Sequence, residues 1–243
     1  MKKQIYDSRQ KRHQQHTQFH HRRWLPALLI GFVFSIGCGG DSSENQTAIP
    51  VTYFVSYTEG LNSSIQQCIN YAKDGDTCLV LSADDPNDPC YLAETIDFQG
   101  KSITLRSNYG EDGKAQTILD GSAMESPGGP VVKFSKKEKE GAILDGFIIQ
   151  NGSAGGEIPH GGGIQILSAS PTITDCIIRN NQADEDGGGI WVFATGARPT
   201  FMNLDFQNNT AGGAGGGYAA LHGTVILDNC CDFSGNVPDD VWP

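Results

Sequence analysis

Hydrophobic and polar positions repeat along the second half of the chain. An apolar stretch followed by Asn recurs as "FIIQNG" from Phe147, "CIIRNN" from Cys176, "LDFQNN" from Leu204 and "CCDFSGN" from Cys230. Its apolar position falls at Ile149, Ile178, Phe206 and Phe233, in steps of 29, 28 and 27 residues. Glycine triplets begin in the same rhythm at Gly161, Gly187 and Gly215. A period in the twenties is typical of solenoids, in which one coil follows another.

Within each repeat, short runs of β-branched and aromatic residues alternate with Gly and Asn, and no helical spacing survives from 140 to 236. This pattern predicts short strands, stacked coil on coil because one coil cannot bury its own apolar face. Two columns are expected to point inward: Ile149, Ile178, Phe206 and Phe233, and Phe147, Cys176, Leu204 and Cys230. A third column, expected at a turn with stacked amides, holds Asn151, Asn180, Asn208 and Asn236.

The glycine triplets have two interpretations, a phosphate-binding loop or a tight corner. A phosphate loop lies between a strand and a helix and commonly carries a Lys, whereas here a strand such as "IWVF" follows and no Lys lies nearby. The triplets are therefore predicted to occupy corners where a side chain would obstruct the turn or the neighbouring coil.

Three further stretches carry a resemblance to a known fold. The segment from Ser64 to Ser122, with its "DGDT" at 74–77, resembles the N-terminal cap and first coils of right-handed parallel β-helix proteins of the pectate-lyase-like superfamily. "SPTITDCIIRNNQADEDGGGIWV" and "GNVPDDVW" resemble the repeats of bacterial surface proteins with the right-handed β-helix region. The resemblance implies an all-β, right-handed parallel β-helix solenoid over 51–243, capped by a short N-terminal helix at about 63–72. It says little about activity.

The beginning of the chain predicts export. Seven Lys and Arg residues oppose one Asp in the first 37 residues, and an uncharged "WLPALLIGFVFSIG" precedes Cys38. This is typical of a secretory signal. "FSIGC" resembles a bacterial lipobox, with Ser35 where Leu is usual, which implies cleavage before Cys38 and lipidation of its thiol. The alternative is an ordinary signal peptide with an incidental Cys. Residues 38–50 then form a flexible tether, and the expected location is the bacterial outer membrane or cell surface.

The net charge of the chain limits the classes of partner that it is expected to bind. Without residues 1–37, the 17 Lys+Arg and 28 Asp+Glu of the chain fall to 10 and 27, a net charge of −17. Such a surface argues against nucleic acid and disfavours an unassisted polyanionic substrate. The run "FSKKEKEGA" at 134–142 is of mixed charge and is predicted to be an exposed loop between coils.

The cysteines fit an oxidising compartment. One disulfide is expected among Cys68, Cys78 and Cys90, with the pairing left open. Cys176 and Cys230 lie two coils apart, about 10 Å, which is too far for a disulfide. They are predicted to be small buried apolar residues.

Catalysis finds little support in the repeats. A lyase acting on acidic polysaccharides needs a Lys or Arg base, and from Ile143 onward the chain offers only Arg179 and Arg198. A hydrolase needs clustered carboxylates. Asp145, Asp175 and Asp205 stand six, five and three positions before the Asn column, so they are not expected to stack. A carbohydrate-active enzyme, lyase before hydrolase, stays as the alternative.

Binding is better supported. Trp191 is predicted to be the outward, exposed member of its strand, able to stack on a sugar ring or a partner, with Arg179 and Arg198 as further binding candidates. Acidic loops offer oxygen ligands for Ca²⁺ at Asp84, Asp85, Asp88, Asp184 and Asp186, although solvated turns, in which Asp is common, explain them better. The expected function is a lipid-anchored, non-catalytic adhesion or binding module for an envelope polysaccharide or protein.

Overall fold

The computed structural model describes residues 49–56, 63–81, 90–91, 95–110, 113, 117–125, 128–193 and 195–242. They form an all-β parallel solenoid, as predicted. Among these residues one α-helix occurs, α1 (Ser63–Tyr71), with a 3₁₀ turn at Gly121–Ala123. The predicted signal peptide, Cys38 and nearly all of the tether lie outside the described residues. No described helix is long and apolar enough to cross a membrane.

Three long parallel sheets form the sides of the solenoid. The first contains, in order, β1 (Thr52–Ser56), β2 (Thr77–Leu81), β5 (Thr104–Ser107), β8 (Ile143–Asp145), β12 (Thr172–Thr174), β16 (Thr200–Met202) and β20 (Ile226–Asp228). The second contains β3 (Cys90–Tyr91), β6 (Thr117–Asp120), β9 (Phe147–Gln150), β13 (Ile177–Arg179), β17 (Asp205–Gln207) and β21 (Asp232–Ser234). The third contains β4 (Ile96–Asp97), β7 (Val132–Phe134), β11 (Ile164–Leu167), β15 (Ile190–Phe193), β19 (Tyr218–Leu221) and β22 (Val241–Trp242).

A coil visits the sheets in a fixed order. After the first and second sheets, the middle coils add a short strand to a fourth sheet of β10 (Ser153–Ala154), β14 (Gln182–Ala183) and β18 (Thr210–Ala211), and then enter the third sheet. Equivalent strands pair in parallel register, so equivalent residues of successive coils are direct neighbours.

The predicted inward columns are largely confirmed. Ile178 pairs with Ile149 on one side and Phe206 on the other, and Phe206 pairs with Phe233. The rings of Phe206 and Phe233 stack at 5.0 Å between centroids. Phe147, Cys176 and Leu204 are buried, and Cys176 has a free thiol, as expected. Cys230 departs from the prediction, since it is only half-buried and is bonded to Cys231.

The predicted Asn column is two adjacent columns. Asn151, Asn180 and Asn208 have left-handed backbone, with φ of 58°, 53° and 52°, and Gly235 takes this position in the last coil. The predicted assignment of Asn236 to this column is wrong by one residue. Asn236 belongs with the next residues, Asn181 and Asn209, because a glycine supplies the turn in the last coil.

This second column is an amide ladder formed by the buried Asn181 and Asn209 and the half-buried Asn236. Asn181 Nδ2 and Asn209 Nδ2 each donate to Oδ1 of the next Asn, both at 3.0 Å. Each amide also donates to a backbone carbonyl, as Asn209 Nδ2 does to Ile178 at 2.8 Å. Because buried polar groups need partners, this ladder ties the coils together in one register.

The glycine triplets lie at corners, as predicted. Gly161, Gly187 and Gly215 have φ of +75°, +68° and +65°, a region that side chains disfavour. A Cβ on the second glycine, Gly188, would lie 2.5 Å from the Thr210 carbonyl oxygen of the neighbouring coil. The glycines therefore serve the turn and the close stacking of coils.

At the N-terminal end, α1 packs against β1 and β2. Ile65 and Ile69 are buried, and Cys68 forms a disulfide with Cys78 on β2, with 6.1 Å between Cα atoms. This is the one bridge expected among the first three cysteines of the domain. Lys101 Nζ donates to the carbonyls of Asn70 and Ala72 at 2.8 and 2.9 Å, where a cation complements the helix dipole.

Candidate binding site

The outer face of the third sheet carries the aromatic residues that sequence analysis singled out. Along β15, Ile190 and Val192 belong to the hydrophobic core, whereas Trp191 does not. Since successive side chains on a strand point to opposite faces, Trp191 and Phe193 lie on the outside. The prediction that Trp191 points away from the core is therefore confirmed.

The expectation that the Trp191 ring is exposed is wrong, because two other rings cover it. The side chain is 8% exposed. The His160 ring stacks on it at 4.2 Å with an interplanar angle of 8°, and Phe193 follows at 5.6 Å and 15°. Phe193, at 36% exposed, is the ring of this stack that a ligand can reach. His222 meets Phe193 edge-on at 5.8 Å.

His160 is held in place by the acidic turn of the next coil. Its Nδ1 accepts a hydrogen bond from the Asp186 backbone N–H at 3.1 Å, and its Nε2 lies 3.1 Å from Glu185 Oε2. With Nδ1 accepting, the neutral ring carries its proton on Nε2, directed at Glu185. Asp186 is anchored in turn, since its Oδ1 accepts from the Ala214 N–H at 2.9 Å. Backbone contacts across three coils thus orient the whole aromatic stack.

The same face changes character along the solenoid. In register with Trp191 stand Gln165 on one side and Ala219, then Trp242, on the other. Further towards the N-terminal end the column becomes charged, with Asp97 and Lys133. A second outward column holds Leu167, Phe193 and Leu221. We call this C-terminal half, made of Trp191, Phe193, Leu221 and Trp242, the aromatic face.

The two arginines that were candidates for binding lie away from the aromatic face. Arg179 is on β13 in the second sheet, and its Nε donates to Gln150 Oε1 at 2.8 Å. Arg198 is exposed in the connection between β15 and β16, where its backbone N–H donates to Ser170 Oγ at 3.0 Å. The structure therefore does not bring Trp191, Arg179 and Arg198 together into one site.

Only some of the predicted calcium ligands lie among the residues that the structure describes. Asp84, Asp85 and Asp88 lie outside the described residues. Asp184 is exposed, and Asp186 is engaged with Ala214 and His160. Within the described ranges, no three His, Cys, Asp or Glu side chains come together in a way that could hold a metal ion.

A polar cluster that sequence analysis missed lies on the outer face of the first sheet. Arg106 Nε is 2.6 Å from Asp145 Oδ2, and the Tyr109 hydroxyl donates to Asp145 Oδ1. Burial, with the neighbouring Asp145 carboxylate, raises the pKa of Tyr109, so its hydroxyl stays protonated. The cations predicted as candidates all follow Ile143, whereas Arg106 lies one coil earlier, in direct register with Asp145. No repeat period links this early coil to the later ones, so the sequence carries no signal for the pair.

The cluster is arranged as a closed network. Asp145 is 4% exposed and has both oxygens occupied, so it is poorly placed to transfer a proton. Asp175 accepts from Thr174 and Asn203, and Asp205 lies on the second sheet beside Gln207. The prediction that Asp145, Asp175 and Asp205 do not stack is confirmed.

Comparison with protein-family models, with curated proteins and with solved structures found no match for this chain.

Proposed function

We propose that this protein is a non-catalytic binding module that holds a glycan on its aromatic face. It is a right-handed β-helix of the pectate-lyase-like type in this proposal, on the strength of the segment from Ser64 to Ser122 and the repeats that follow it. The same proposal places it outside the cell, lipidated at Cys38 and attached to the outer membrane or cell surface.

The observation that carries the proposal is the oriented stack of His160, Trp191 and Phe193. Aromatic rings bind sugars by stacking on their apolar C–H faces, which requires an accessible ring held in a fixed plane. Phe193 offers the accessible ring, and Trp191 and His160 fix its plane from behind. Such preorganisation lowers the entropic cost of binding.

The surroundings favour a neutral sugar at this face. Glu185 and Asp186 flank the stack, and no Lys or Arg follows Arg198 in the sequence. An acidic sugar would meet repulsion here, whereas a neutral ring would meet Leu221, Phe193 and Trp242. Envelope polysaccharides with neutral residues are therefore the expected partners.

Binding is preferred to catalysis because the three aspartates considered for hydrolysis are engaged by neighbouring side chains. The Asp145 carboxylate is held by Arg106 and Tyr109, Asp175 accepts hydrogen bonds from Thr174 and Asn203, and Asp205 accepts one from Gln207. Hydrolysis requires two carboxylates facing one open position, and these three aspartates are not arranged in that way.

The test is a glycan-array screen of the purified full-length protein, with affinities of the hits measured by calorimetry. Phe193→Ala should weaken binding by at least about tenfold, while Phe193→Tyr, which keeps the ring, should bind within about twofold of the wild type. The matched control is Phe54→Ala, an exposed phenylalanine on β1 of the first sheet. Equal binding by the Phe193→Ala and wild-type proteins would refute the proposed site.

Each glycan that binds should also be incubated with the protein and examined for products. Unsaturated or shortened sugars would show catalysis and overturn the proposal of a non-catalytic module. Lipidation is tested separately by expressing the full chain and its Cys38→Ser variant with a labelled fatty acid. Label on the wild type alone supports the anchor, and its absence from both proteins contradicts it.

A further inference from the structure

A second surface, remote in chemistry from the aromatic face, lies at the corner between the third and first sheets. Here the connections of four successive coils form an open groove of about 780 Å³. We call it the corner groove. Small residues and hydroxyl-bearing side chains line it, together with the charged turn at 137–140.

Two lysines stand in this groove on a turn that is held by a buried carboxylate. Glu138, between Lys137 and Lys139, is 1% exposed. Its Oε1 accepts from the Gly100 N–H at 2.8 Å and its Oε2 from the Lys136 N–H at 2.9 Å. Its own carbonyl accepts from the Ser170 N–H at 2.7 Å. The carboxylate thus points into the protein and fixes the turn, which leaves the lysine side chains outside.

These lysines differ from the neighbouring Lys101 and Lys136 in their contacts. Lys136 pairs with Asp97 at 3.2 Å, and Lys101 binds the carbonyls at the end of α1. Within the described part of the chain, neither Lys137 nor Lys139 makes a salt bridge or a side-chain hydrogen bond. The exposed Arg198 follows Ala197 at the same corner. Glu140 is the carboxylate that opposes these cations in the lining, because Glu138 is turned inward.

Hydroxyl groups complete the site. Ser102, Ser168, Ser170 and Thr195 line the groove. Ser170 Oγ already accepts from the Arg198 N–H, so its own hydrogen is free to donate. Lysine ammonium groups commonly bind phosphate as point charges, and hydroxyl donors can meet its remaining oxygens.

We propose that the corner groove binds a phosphomonoester carried on a sugar. The volume is that of a small-molecule site and leaves room for a sugar beside the phosphate, where the serine hydroxyls meet its hydroxyls. The net acidity of the chain does not forbid this, because charges are screened beyond about 8 Å at physiological salt and the near lysines dominate. This site is independent of the aromatic face.

The first experiment titrates the full-length protein with glucose 6-phosphate, followed by calorimetry, at low and at physiological salt. Binding is expected to weaken as salt increases, and neither glucose nor inorganic phosphate alone should match it. Lys137→Gln and Lys139→Gln should each lower affinity about fivefold, and the double variant should lose detectable binding. Lys133→Gln, on the outer face of the third sheet, is the matched control and should bind as the wild type does.

Glu140→Gln gives a test of opposite sign. Removing the carboxylate that competes with the phosphate should tighten binding about twofold. The exposed positions should leave thermal unfolding unchanged in all these variants, so that loss of binding is not loss of fold. Unchanged affinity in the double lysine variant, or weaker binding by Glu140→Gln, would overturn the proposal.

A phosphorylated lipid headgroup also presents a phosphomonoester, so a separate experiment must distinguish it from a sugar phosphate. Vesicles of phosphatidylcholine, with and without phosphatidic acid, should be offered to the protein with glucose 6-phosphate as competitor. Competition for the vesicles that contain phosphatidic acid supports the sugar phosphate as a ligand of the groove. The opposite outcome has two parts: the protein stays bound to these vesicles in the presence of glucose 6-phosphate, and it does not bind the free sugar phosphate. This outcome would show a lipid site and refute the proposal.

Discussion

The middle coils and the last described coil have nearly the same sequence pattern but very different burial. Phe201 on β16 is fully buried, whereas Leu227, its partner in register on β20, is 51% exposed. Phe206 is fully buried and Phe233 only half. A coil in the middle is covered on both sides, and the last described coil on one. An inward position in a solenoid therefore becomes core only through its neighbours.

The largest expected difference is at the stacked phenylalanines. Phe206→Ala should lower the free energy of unfolding by about 4 kcal/mol, because it leaves a cavity between two coils. Phe233→Ala should cost about half as much, since solvent and chain can fill the space. Urea unfolding of the full-length variants measures both. Equal losses would show that the last coil is buried as deeply as the middle ones.

The amide ladder should show the same contrast at a smaller scale. Asn209→Ala removes a hydrogen-bond partner of the Ile178 carbonyl, of the Asn181 backbone N–H and of the Asn181 side-chain amide in a buried place and should cost about 3 kcal/mol. Asn236→Ala removes as many side-chain hydrogen bonds, but from a half-buried place where water can replace them, and should cost about 1 kcal/mol. Urea unfolding of the two variants measures both losses of stability. A larger loss for Asn236→Ala than for Asn209→Ala would contradict the ladder as described.

Asp120 is a charged residue whose contribution to stability is expected to depend on pH. Burial alone would raise the pKa of Asp120, but hydrogen bonds from Ser122, Gln150 and Asn151 outweigh burial and lower the pKa. Its contribution is therefore present above the pKa of the unfolded chain, about 4, and is lost as the pH falls through the lowered pKa.

The variant Asp120→Asn tests this directly. The stability difference between wild type and variant should be about 1 kcal/mol at neutral pH and should shrink below about pH 4. The neutral Asn209→Ala difference should stay constant over the same range. Urea unfolding at several pH values measures both, and a constant difference for Asp120→Asn would mean that its carboxylate is not stabilised by folding.

The smallest effect is expected at the exposed end. Leu227→Ser should change the free energy of unfolding by less than about 0.5 kcal/mol, since half of the side chain is already in water. Phe201→Ser, its counterpart one coil earlier, should cost several kcal/mol, because it places an unpaired hydroxyl in a buried space. A severe loss in Leu227→Ser would indicate that this end is covered in solution.

Much of the fold could be predicted because the repeat is a local pattern with a fixed period. The spacing of Ile149, Ile178 and Phe206 is enough to align strands that pair in the structure. The prediction for Asn236 failed because Gly235 takes the left-handed turn position that Asn holds in the earlier coils. The nearest Asn in the sequence therefore lies one residue beyond that position. The pairing of Arg106 with Asp145 was missed because no period links the early coils to the later ones.

The candidate site was predicted less well than the fold. Trp191 was placed on the correct strand face, yet its burial depends on His160, which is 31 residues away and arrives through a loop with no regular pattern. Phe193 was not predicted as a binding residue. The sequence shows that Trp191 and Phe193 both point outward, but it does not show which of the two rings is covered by other side chains. The corner groove likewise joins residues from four connections of unequal length.

The sequence by itself determined the period, the strand-forming segments, the inward columns and the glycine corners, because each follows from side-chain size and backbone preference within a few residues. Only the tertiary structure decided which polar groups meet: the amide ladder, the stack of His160 on Trp191, and the hydrogen bonds of the inward-turned Glu138. Those contacts join residues of different coils, and their geometry depends on the exact register and path of the connections. Stacking of the coils buries Asn209, Trp191 and Glu138, and this burial gives their contacts most of their energy.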